Sequence, residues 1–518
     1  MMLNPDVGRV LLQLVLFLPL LGALVVAVIG SDGLRAWRVA TGFAAVAFIC
    51  AAVLLIGFDR SAADRYQFGV VASWLPFGSD YRIAVDGLSM PLVALNALLS
   101  LSAIAGSWRI ATRQSLYFSL FLALETAVAG VFTAGDLFLF FLFWELELIP
   151  MFLIIGIWGG PRREYAAFKF ILYTVAGSAF MLVGIFLLYF FGPHTFAITD
   201  IAQFDYAQYG RGLGSLGSLA FILLFLGFAV KVPIFPFHTW LPDAHVEAPT
   251  AGSVMLAGVL LKMGGYGLLR LCVSLLPSAA QDWQLLLVVL AVINSIYGAL
   301  VALAQTDLKK MIANSSISHM GYVILGIAAL TQVGFQGALL VMLAHGLYSG
   351  LLFSMVGLVY DRTHTREVGM MSGLAARMPF IASVFMIAGL ASLGLPGLAG
   401  FVAEFTTFIG SYSVFPLATI LCVCTIALTA GYILWRLGSV FYGPLGGEWA
   451  TLGDALGREQ FAVGLLAAGT VLIGVLPNTV AELSAGGVAP IAQHVEAISR
   501  QPSAFSAAGS THMLTADR

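Results

Sequence analysis

Residues 229–245 read AVKVPIFPFHTWLPDAH, and Pro233 and Pro236 in this segment interrupt an otherwise apolar stretch. A second interruption, SLGLPGLAGFVAEF at residues 392–405, has Pro396 between closely spaced glycines. Neither segment can form a regular helix, because proline lacks the amide hydrogen and glycine has a low helix propensity. Unwound backbone at membrane depth persists only where protein or water satisfies its polar groups. Two such interruptions predict a transporter built from repeats, with an ion path near the membrane midplane.

The composition of the whole chain places these interruptions inside a membrane. Of its 518 residues, 60% are hydrophobic and 10% are charged, and the mean hydropathy is +0.97. Soluble domains carry about 25% charged residues, so a soluble globular protein is excluded. A spanning helix needs roughly 20 residues, and the sequence therefore predicts an all-α polytopic membrane protein of about 14 transmembrane helices.

The two interruptions fall in the seventh and the twelfth of the predicted spans. Five spans separate them, which indicates two five-helix units. The alternative is that these prolines and glycines have no special role, because both residues are common in membrane helices. The apolar stretches are 10–30, 38–58, 86–106, 115–134, 136–158, 166–192, 216–232 with a continuation past Pro236, 250–276, 284–305, 309–331, 334–360, 379–396 with a continuation to about residue 414, 415–443 and 460–482.

The distribution of positive charges predicts the orientation of the spans. Lysine and arginine concentrate in alternate short connections, which are expected on the cytoplasmic side, so both termini are predicted on the non-cytoplasmic side. Arg60, Arg65 and Arg211 are exceptions. The run Val10–Ile29 is interpreted as the first span and not as a signal peptide, because only Arg9 precedes it and no convincing cleavage site follows.

Charge and motif patterns argue against several other functions. The net charge is −2 and no lysine or arginine cluster occurs, which argues against nucleic acid as a partner. There is no CxxC, no P-loop and no GxGxxG followed by a ribose-binding acid, so no flavin, iron–sulfur, nicotinamide or ATP site is expected in this chain. His238, His245 and Glu247 lack the HExxH spacing of a zinc site. The cysteines lie in apolar runs, where packing is their expected role: Cys50, Cys272, Cys422 and Cys424.

Seven ionisable residues within the predicted spans carry the functional hypothesis. Each costs roughly 2.5–3.5 kcal/mol on membrane-insertion scales, so they are expected to contact one another or water. Ionisable residues in this setting mark proton or ion pathways. The seven are Glu125, Glu145, Lys231, Lys262, His319, His345 and Glu404.

The two lysines differ in their surroundings. Lys262 lies near the centre of a span, where it can act as a proton carrier; a permanent pair with a carboxylate is the alternative. Lys231 immediately precedes the first interruption, and we expect Glu145, in the segment FLFWELELIPMF, to pair with it. Glu147 is two residues further on and is expected to point to another helix face, toward the membrane interface or a neighbouring helix.

Two histidines and a glutamate extend this set through the second half of the chain. His319 and His345 lie at mid-depth of adjacent predicted spans, with several hydroxyl side chains nearby. Histidine can relay protons through water, and a packed core histidine is the alternative. Glu404 directly follows the second interruption, where its access can change from one side of the membrane to the other. Glu125 lies deep in a span, and its role is left open.

Four segments carry motifs of high specificity: WELELIPMFLIIGIWGG (144–160), KVPIFPFHTWLPDAHVEAPTAGSVMLAGVLLKMGGYGLLR (231–270), KKMIANSSISHMGYV (309–323) and GLPGLAGFVAEF (394–405). They resemble the subunit M, or chain four, family of proton-pumping NADH-quinone oxidoreductase, respiratory complex I. The resemblance implies two inverted five-helix repeats, each with one discontinuous helix. It implies helices 1–3 at residues 1–114, a first repeat at 115–276, a second repeat at 277–443, and the last helix with the C-terminal tail at 444–518.

The resemblance also implies roles for the buried ionisable residues. It implies a loading pair at Glu145 and Lys231 and a central proton carrier at Lys262. His319 and His345 match the relay histidines, which link the central carrier onward through water.

Glu404 distinguishes this family from its relatives. It matches a glutamate that serves the outlet or the next subunit, whereas the sister antiporter-like subunits and the cation/proton antiporter subunits generally have a lysine there. Only about 35 residues follow the last predicted span, which leaves no room for the long C-terminal helix of the largest sister.

The resemblance implies that this chain holds no cofactor and that other subunits use NAD(P)H or ferredoxin, FMN, iron–sulfur clusters and quinone. Expected partners include two antiporter-like sister subunits, in a bacterial inner membrane or another energy-transducing membrane such as the thylakoid. WELELIP and YDRTHT (360–365) also resemble the ferredoxin-fed complex of chloroplasts and cyanobacteria, so the electron donor stays open. The alternatives are a subunit of a multi-subunit Na⁺/H⁺ antiporter and a subunit of a membrane-bound hydrogenase.

Overall fold

Helices make up most of the chain in the computed structural model, which describes residues 3–29 and 33–499. The end of the last predicted unit, from residue 500 onward, lies outside the described residues. The first elements are α1 (Pro5–Ile29), α2 (Gly33–Gly57), the strands β1 (Gln67–Leu75) and β2 (Ser79–Val85), and α3 (Met90–Gly106). The next elements are α4 (Gln114–Thr133), α5 (Leu137–Leu146), α6 (Leu148–Trp158), α7 (Arg163–Phe190), α8 (Ile198–Ile201), α9 (Leu216–Lys231), α10 (Trp240–Glu247), α11 (Thr250–Met255), α12 (Leu261–Gly267) and α13 (Pro277–Asp282). The last are α14 (Gln284–Ala304), α15 (Leu308–Ala328), α16 (Gln332–Thr363), α17 (Pro379–Ser392), α18 (Ala399–Tyr412), α19 (Pro416–Phe441), α20 (Gly457–Val475) and α21 (Asn478–Ser499).

The predicted membrane architecture is confirmed in its main features. Within the described ranges, 11 helical segments are long and apolar enough to cross a membrane, and α3, α9 and α17 are shorter apolar helices. These segments overlap the predicted apolar stretches, and the number of about 14 transmembrane helices stays a prediction. Two of them are composite: α5 and α6 form Leu137–Trp158, while α11 and α12 with their π-helical segments form Thr250–Val273.

The bundle has an inner set of helices that lipid does not reach. The most apolar windows of Thr250–Val273, α15 and α16 are entirely buried inside the protein, whereas only 39%, 33% and 39% of the residues in those of α1, α2 and α7 are buried. Polar side chains on the inner helices therefore face other protein groups. This arrangement is the one in which ionisable residues are tolerated at membrane depth.

Side-chain caps define where several of these helices begin. Asp136 accepts hydrogen bonds from the backbone amides of Phe138 and Leu139 at the start of α5. Asp307 caps α15 in the same way, and the Thr331 hydroxyl caps α16. These caps satisfy amides that have no partner within their own helix.

The first interruption separates α9 from α10, as the sequence predicts. The Asn294 side chain of α14 satisfies its unwound backbone, because it accepts a hydrogen bond from the Phe235 amide at 2.7 Å and donates to the Pro233 carbonyl at 3.0 Å. The Trp240 indole donates to the Val230 carbonyl at 2.9 Å and so connects the two helix ends. Protein groups thus replace the lost helical hydrogen bonds, as membrane burial requires.

The second interruption separates α17 from α18 and depends on glycine. Gly394 and Gly397 have φ values of +74° and +90°, a backbone conformation that other residues rarely adopt. A Cβ atom on Gly394 would lie 2.8 Å from Oε2 of Glu404, so the turn and the carboxylate are in direct proximity.

Two features of the fold are not predicted from the sequence. Strands β1 and β2 pair antiparallel and cover one end of the bundle, which we call the hairpin side. The opposite end, where Lys309 donates to the Ala248 carbonyl at 2.6 Å, is called the Lys309 side. The last predicted stretch, 460–482, is divided at Pro477 into α20 and α21, and α21 packs against α16 through Gln336, which donates to the Ala481 carbonyl at 2.8 Å.

Candidate functional site

A buried ion pair lies at the end of α9, beside the first interruption. Lys231 is the last residue of that helix, and its ammonium bonds to Oε1 of Glu147. The side chains of Lys231 and Glu147 are 1% and 0% exposed. The ammonium also lies 5.4 Å and 5.5 Å from the ring centres of Trp144 and Phe170. The helix C-terminus, the carboxylate and the aromatic rings all stabilise the cation there.

The expectation that Glu145 pairs with Lys231 is wrong in this structure, and so is the expectation that Glu147 faces elsewhere. Trp144 and Glu147 lie three residues apart on the buried face of this segment. Glu145 is half-buried, between Leu142 and the exposed Leu146 on the outer face. The two glutamates do occupy different helix faces, but the inner face belongs to Glu147. One carboxylate oxygen of Glu145, Oε1, has no hydrogen-bond partner among the described residues.

Lys262 lies in α12, at the centre of the wholly buried segment Thr250–Val273. It is flanked by π-helical segments, Leu256–Leu260 and Leu268–Val273. Such wider turns are rare and occur frequently at functional sites. Here the Lys262 ammonium bonds to the carbonyl of Ala257, within the first of these segments, and lies 2.6 Å from Nδ1 of His345.

The two predicted relay histidines and Glu404 continue from Lys262 in one row. The ring centres of His345 and His319 are 5.7 Å apart, and the Tyr348 ring contacts both. Nδ1 of His319 lies 3.4 Å from Oε1 of Glu404, and its Nε2 lies 3.2 Å from the hydroxyl of Ser392.

This row ends at the second interruption. Ser392 is the last residue of α17 and Glu404 is in the first turns of α18, so the two contacts of His319 come from opposite sides of the unwound stretch. A movement of α18 relative to α17 would therefore change the surroundings of His319. The sequence places these residues on separate spans, and the fold brings four of them, Lys262 to Glu404, into consecutive contact.

Sequence reasoning missed His245, which it considered only as a weak metal ligand. His245 lies in α10, is fully buried, and stacks on Phe353 with ring centres 4.5 Å apart. Neither of its ring nitrogens has a hydrogen-bond partner among the described residues. Among those residues there is also no group of three metal-ligating side chains. Its position on the second half of an interrupted helix is the signal that could have indicated a role in transport.

A polar cavity opens on the Lys309 side, beneath α10. Its volume is about 390 Å³, and its lining includes Arg109, Glu247, Lys309, Asp361 and Arg366. Lys309, in this lining, contacts the backbone just after α10, the helix that carries His245. The cavity thus extends from charged groups at the protein surface to the inner helices.

The sequence and fold of this chain were compared with known proteins. Residues 134–429 match the family described as "NADH:quinone oxidoreductase/Mrp antiporter, TM". The chain is 44% identical over 501 residues to NADH-quinone oxidoreductase subunit M of Rhodobacter capsulatus, covering 94% of this chain and 97% of that protein. It is 45% identical over 475 residues to NAD(P)H-quinone oxidoreductase chain 4 1 of Synechococcus elongatus, covering 90% and 88%. Its fold is similar to a chain of respiratory complex I from Thermus thermophilus, with a TM-score of 0.85, 30% identity, and 93% and 99% of the two chains covered.

Proposed function

The chain belongs to the NADH:quinone oxidoreductase/Mrp antiporter family of membrane proteins, and on this basis we propose which of its residues carry protons. It is a membrane-arm subunit of an NADH-quinone oxidoreductase, a complex that couples electron transfer to proton translocation. Its part in that complex is proton transport, because the redox chemistry belongs to partner subunits.

Protons move along the row Lys262, His345, His319 and Glu404, with water completing the contacts. The single observation that carries this proposal is the continuity of the row through the inner helices, from the 2.6 Å contact at Lys262 to the 3.4 Å contact at Glu404. Inserting four ionisable residues at membrane depth costs free energy whatever they do. Residues retained at such a cost mark ion or proton pathways. Imidazole groups suit this task because they accept and release protons near neutral pH.

The ion pair between Lys231 and Glu147 acts as the loading pair: its opening and closing control the proton on Lys262. When the pair is closed, the carboxylate holds the ammonium at the end of α9. When it opens, the positive charge of Lys231 is free to repel a proton on the neighbouring Lys262 segment. Gly264 of that segment packs against Phe228 of α9 and against Val232, the residue that follows α9. Glu145, half-buried on the outer face of the same segment, remains a candidate for contact with a neighbouring subunit.

Uptake takes place from the Lys309 side and release through the second interruption. The charged cavity at Lys309 and the imidazole of His245, which has no hydrogen-bond partner within residues 3–29 and 33–499, support uptake there. Glu404 lies next to the Gly394 turn, where α18 can change its position relative to α17. The two repeats, at 115–276 and 277–443, each contribute one interrupted helix to this path.

The rest of the complex supplies the driving reaction. Its other subunits hold FMN, iron–sulfur clusters and quinone and take electrons from NAD(P)H or ferredoxin; two antiporter-like sisters adjoin this chain in the membrane arm. The location is a bacterial inner membrane or a thylakoid-type membrane, with both chain termini on the non-cytoplasmic side. Alternate basic connections support this orientation.

A second candidate is a subunit of a Na⁺/H⁺ antiporter, because the family description includes Mrp antiporters. The carboxylate at Glu404, where those subunits generally have lysine, favours the oxidoreductase. A membrane-bound hydrogenase is a third candidate, and copurified nickel–iron subunits would identify it. Sodium-dependent transport by the assembled complex without an electron donor would establish the antiporter instead.

The proposal is tested with Lys262→Ala in the complete complex, reconstituted into vesicles. We expect the number of protons pumped per NADH oxidised to fall, because the central carrier is lost. Lys310→Ala is the matched control, because that lysine lies in the first turn of α15, outside the row. Unchanged stoichiometry in Lys262→Ala would contradict the proposed path.

A further inference from the structure

Three residues buried between α3 and α4 have polar atoms without a hydrogen-bond partner among the described residues. They are both carboxylate oxygens of Glu125, Oδ1 of Asn96 and the hydroxyl of Thr126. Each of the three residues is 1% exposed. Asn96 donates from Nδ2 to the backbone carbonyl of Glu125 at 3.0 Å, which fixes the glutamate against α3. Because buried polar groups nearly always have partners, this cluster requires an explanation.

Glu125 lies on the face of α4 that meets the Lys262 helix. At the hairpin end of both helices, the rings of Phe132 and Tyr266 are 5.4 Å apart, and the Tyr266 hydroxyl donates to the Phe132 carbonyl at 3.4 Å. Glu125 is seven residues before Phe132 and so shares its helix face. Lys262 is four residues before Tyr266. At 1.5 Å per residue, Glu125 lies about 10 Å and Lys262 about 6 Å from the level of the Phe132–Tyr266 contact, measured along the helices. The two residues therefore differ in depth by about 4 Å.

Thr126 lies on the adjacent face of α4, toward the Lys231 ion pair. The Phe143 ring covers Gly130 of α4, so these two positions are level. Thr126 is one turn before Gly130, and Glu147 is one turn after Phe143 on a segment that runs in the opposite direction. Thr126 and Glu147 are therefore level as well. Oε2 of Glu147, the oxygen that does not bond to Lys231, also has no partner among the described residues.

We propose that Glu125 is a further proton-carrying residue, positioned between the Glu147–Lys231 pair and Lys262 and connected to both by water that Asn96 and Thr126 bind. This inference rests on the proposed function and extends the row in the first repeat. An unpaired carboxylate is too costly in this interior, so Glu125 is a neutral carboxylic acid at rest. It is distinct from the two glutamates of the WELEL segment, which lie on another helix.

The transfer step conserves atoms and charge. The O–H bond of the Glu125 carboxylic acid breaks, its proton passes along water, and an N–H bond forms on the neutral amine of Lys262. The products are a carboxylate and an ammonium ion, whose opposite charges attract each other. Glu125 regains its proton when an N–H bond of the Lys231 ammonium breaks: the proton passes through the Thr126 hydroxyl and water, and a new O–H bond forms on the Glu125 carboxylate.

The test compares Glu125→Gln with Glu125→Asp in the complete complex. Glutamine keeps the size and polarity of the side chain but cannot release a proton in this way, whereas aspartate can. We expect glutamine to lower the protons pumped per NADH oxidised by about half or more and aspartate to retain most of the pumping. Rates are normalised to NADH oxidation with an artificial acceptor, which measures assembled complex.

Infrared difference spectroscopy on the same samples supplies a readout independent of turnover. We expect a protonated-carboxyl band in the parent complex that is absent from Glu125→Gln. Normal pumping in Glu125→Gln, or an unchanged carboxyl band, would overturn the inference. Lys262→Ala is measured in parallel: if it pumps normally the proposed function itself fails, whereas loss in Lys262→Ala with normal pumping in Glu125→Gln overturns only the role of Glu125.

Discussion

The substitution that most directly tests the loading pair is Glu147→Gln. Glu147 and Lys231 are 0% and 1% exposed, so neither charge is stabilised by solvent. Removing one partner of a buried pair costs about 3–5 kcal/mol, because the other charge is left uncompensated. At 1.36 kcal/mol per factor of ten, that is a shift of roughly 150-fold to 5,000-fold against conformations that keep the Lys231 ammonium buried at the end of α9. Lys231 in this variant no longer has a charged partner that can hold it at the end of α9.

We expect Glu147→Gln to lose most of its proton pumping and to slow coupled quinone reduction, since loading and redox turnover depend on each other. The matched control is Glu145→Gln, two residues away and half-buried on the outer face of the same segment. Because the partner of Lys231 is Glu147, we expect Glu145→Gln to retain pumping within about twofold. The assay is acidification of vesicles containing the complex, with quinone as acceptor. Loss in Glu145→Gln together with normal pumping in Glu147→Gln would refute the reasoning and restore the assignment that the sequence alone predicts.

Three further substitutions test the row and the two interruptions. His345→Ala removes the group 2.6 Å from Lys262, and we expect pumping to fall several-fold; pumping equal to the parent would exclude His345 from the path. Asn294→Leu leaves two backbone groups of the first interruption unsatisfied at about 1–3 kcal/mol each, so the thermal stability of the complex should fall, and an unchanged midpoint would contradict that role. Gly394→Ala places a Cβ atom 2.8 Å from Oε2 of Glu404 at a φ of +74°. We expect slower proton release from the complex, with unchanged NADH oxidation by an artificial acceptor. Release at the parent rate would show that the turn does not position the carboxylate.

The parts of the site that the sequence predicts are those with a large energetic signal. Lys262, His345 and Glu404 interrupt strongly apolar runs, and the cost of burying them identifies them without any knowledge of their contacts. The two interruptions are equally visible, because proline and glycine act on the backbone locally. The depth of these residues in the membrane follows from the apolar runs around them.

The parts that the sequence does not predict depend on tertiary contacts. The choice between Glu145 and Glu147 depends on which face of their segment turns inward. The residues of α5 before Trp144 are all apolar, so their periodicity does not identify that face. Only the large side chain of Trp144, three residues before Glu147, indicates it. Asn294 is neutral, and its partners are backbone atoms about 60 residues away in the chain. Nothing in its own sequence neighbourhood indicates that contact.

The short contact between Lys262 and His345 limits how many protons this position can hold. At 2.6 Å from Nδ1, the lysine nitrogen needs a lone pair on one of the two facing atoms, since two donors cannot share a hydrogen bond. An ammonium facing an imidazolium protonated at that nitrogen is therefore electrostatically disfavoured, because both facing nitrogens would be cationic donors. In the proposed path the two residues then share a single transferable proton, and a second proton can enter only after the first has left.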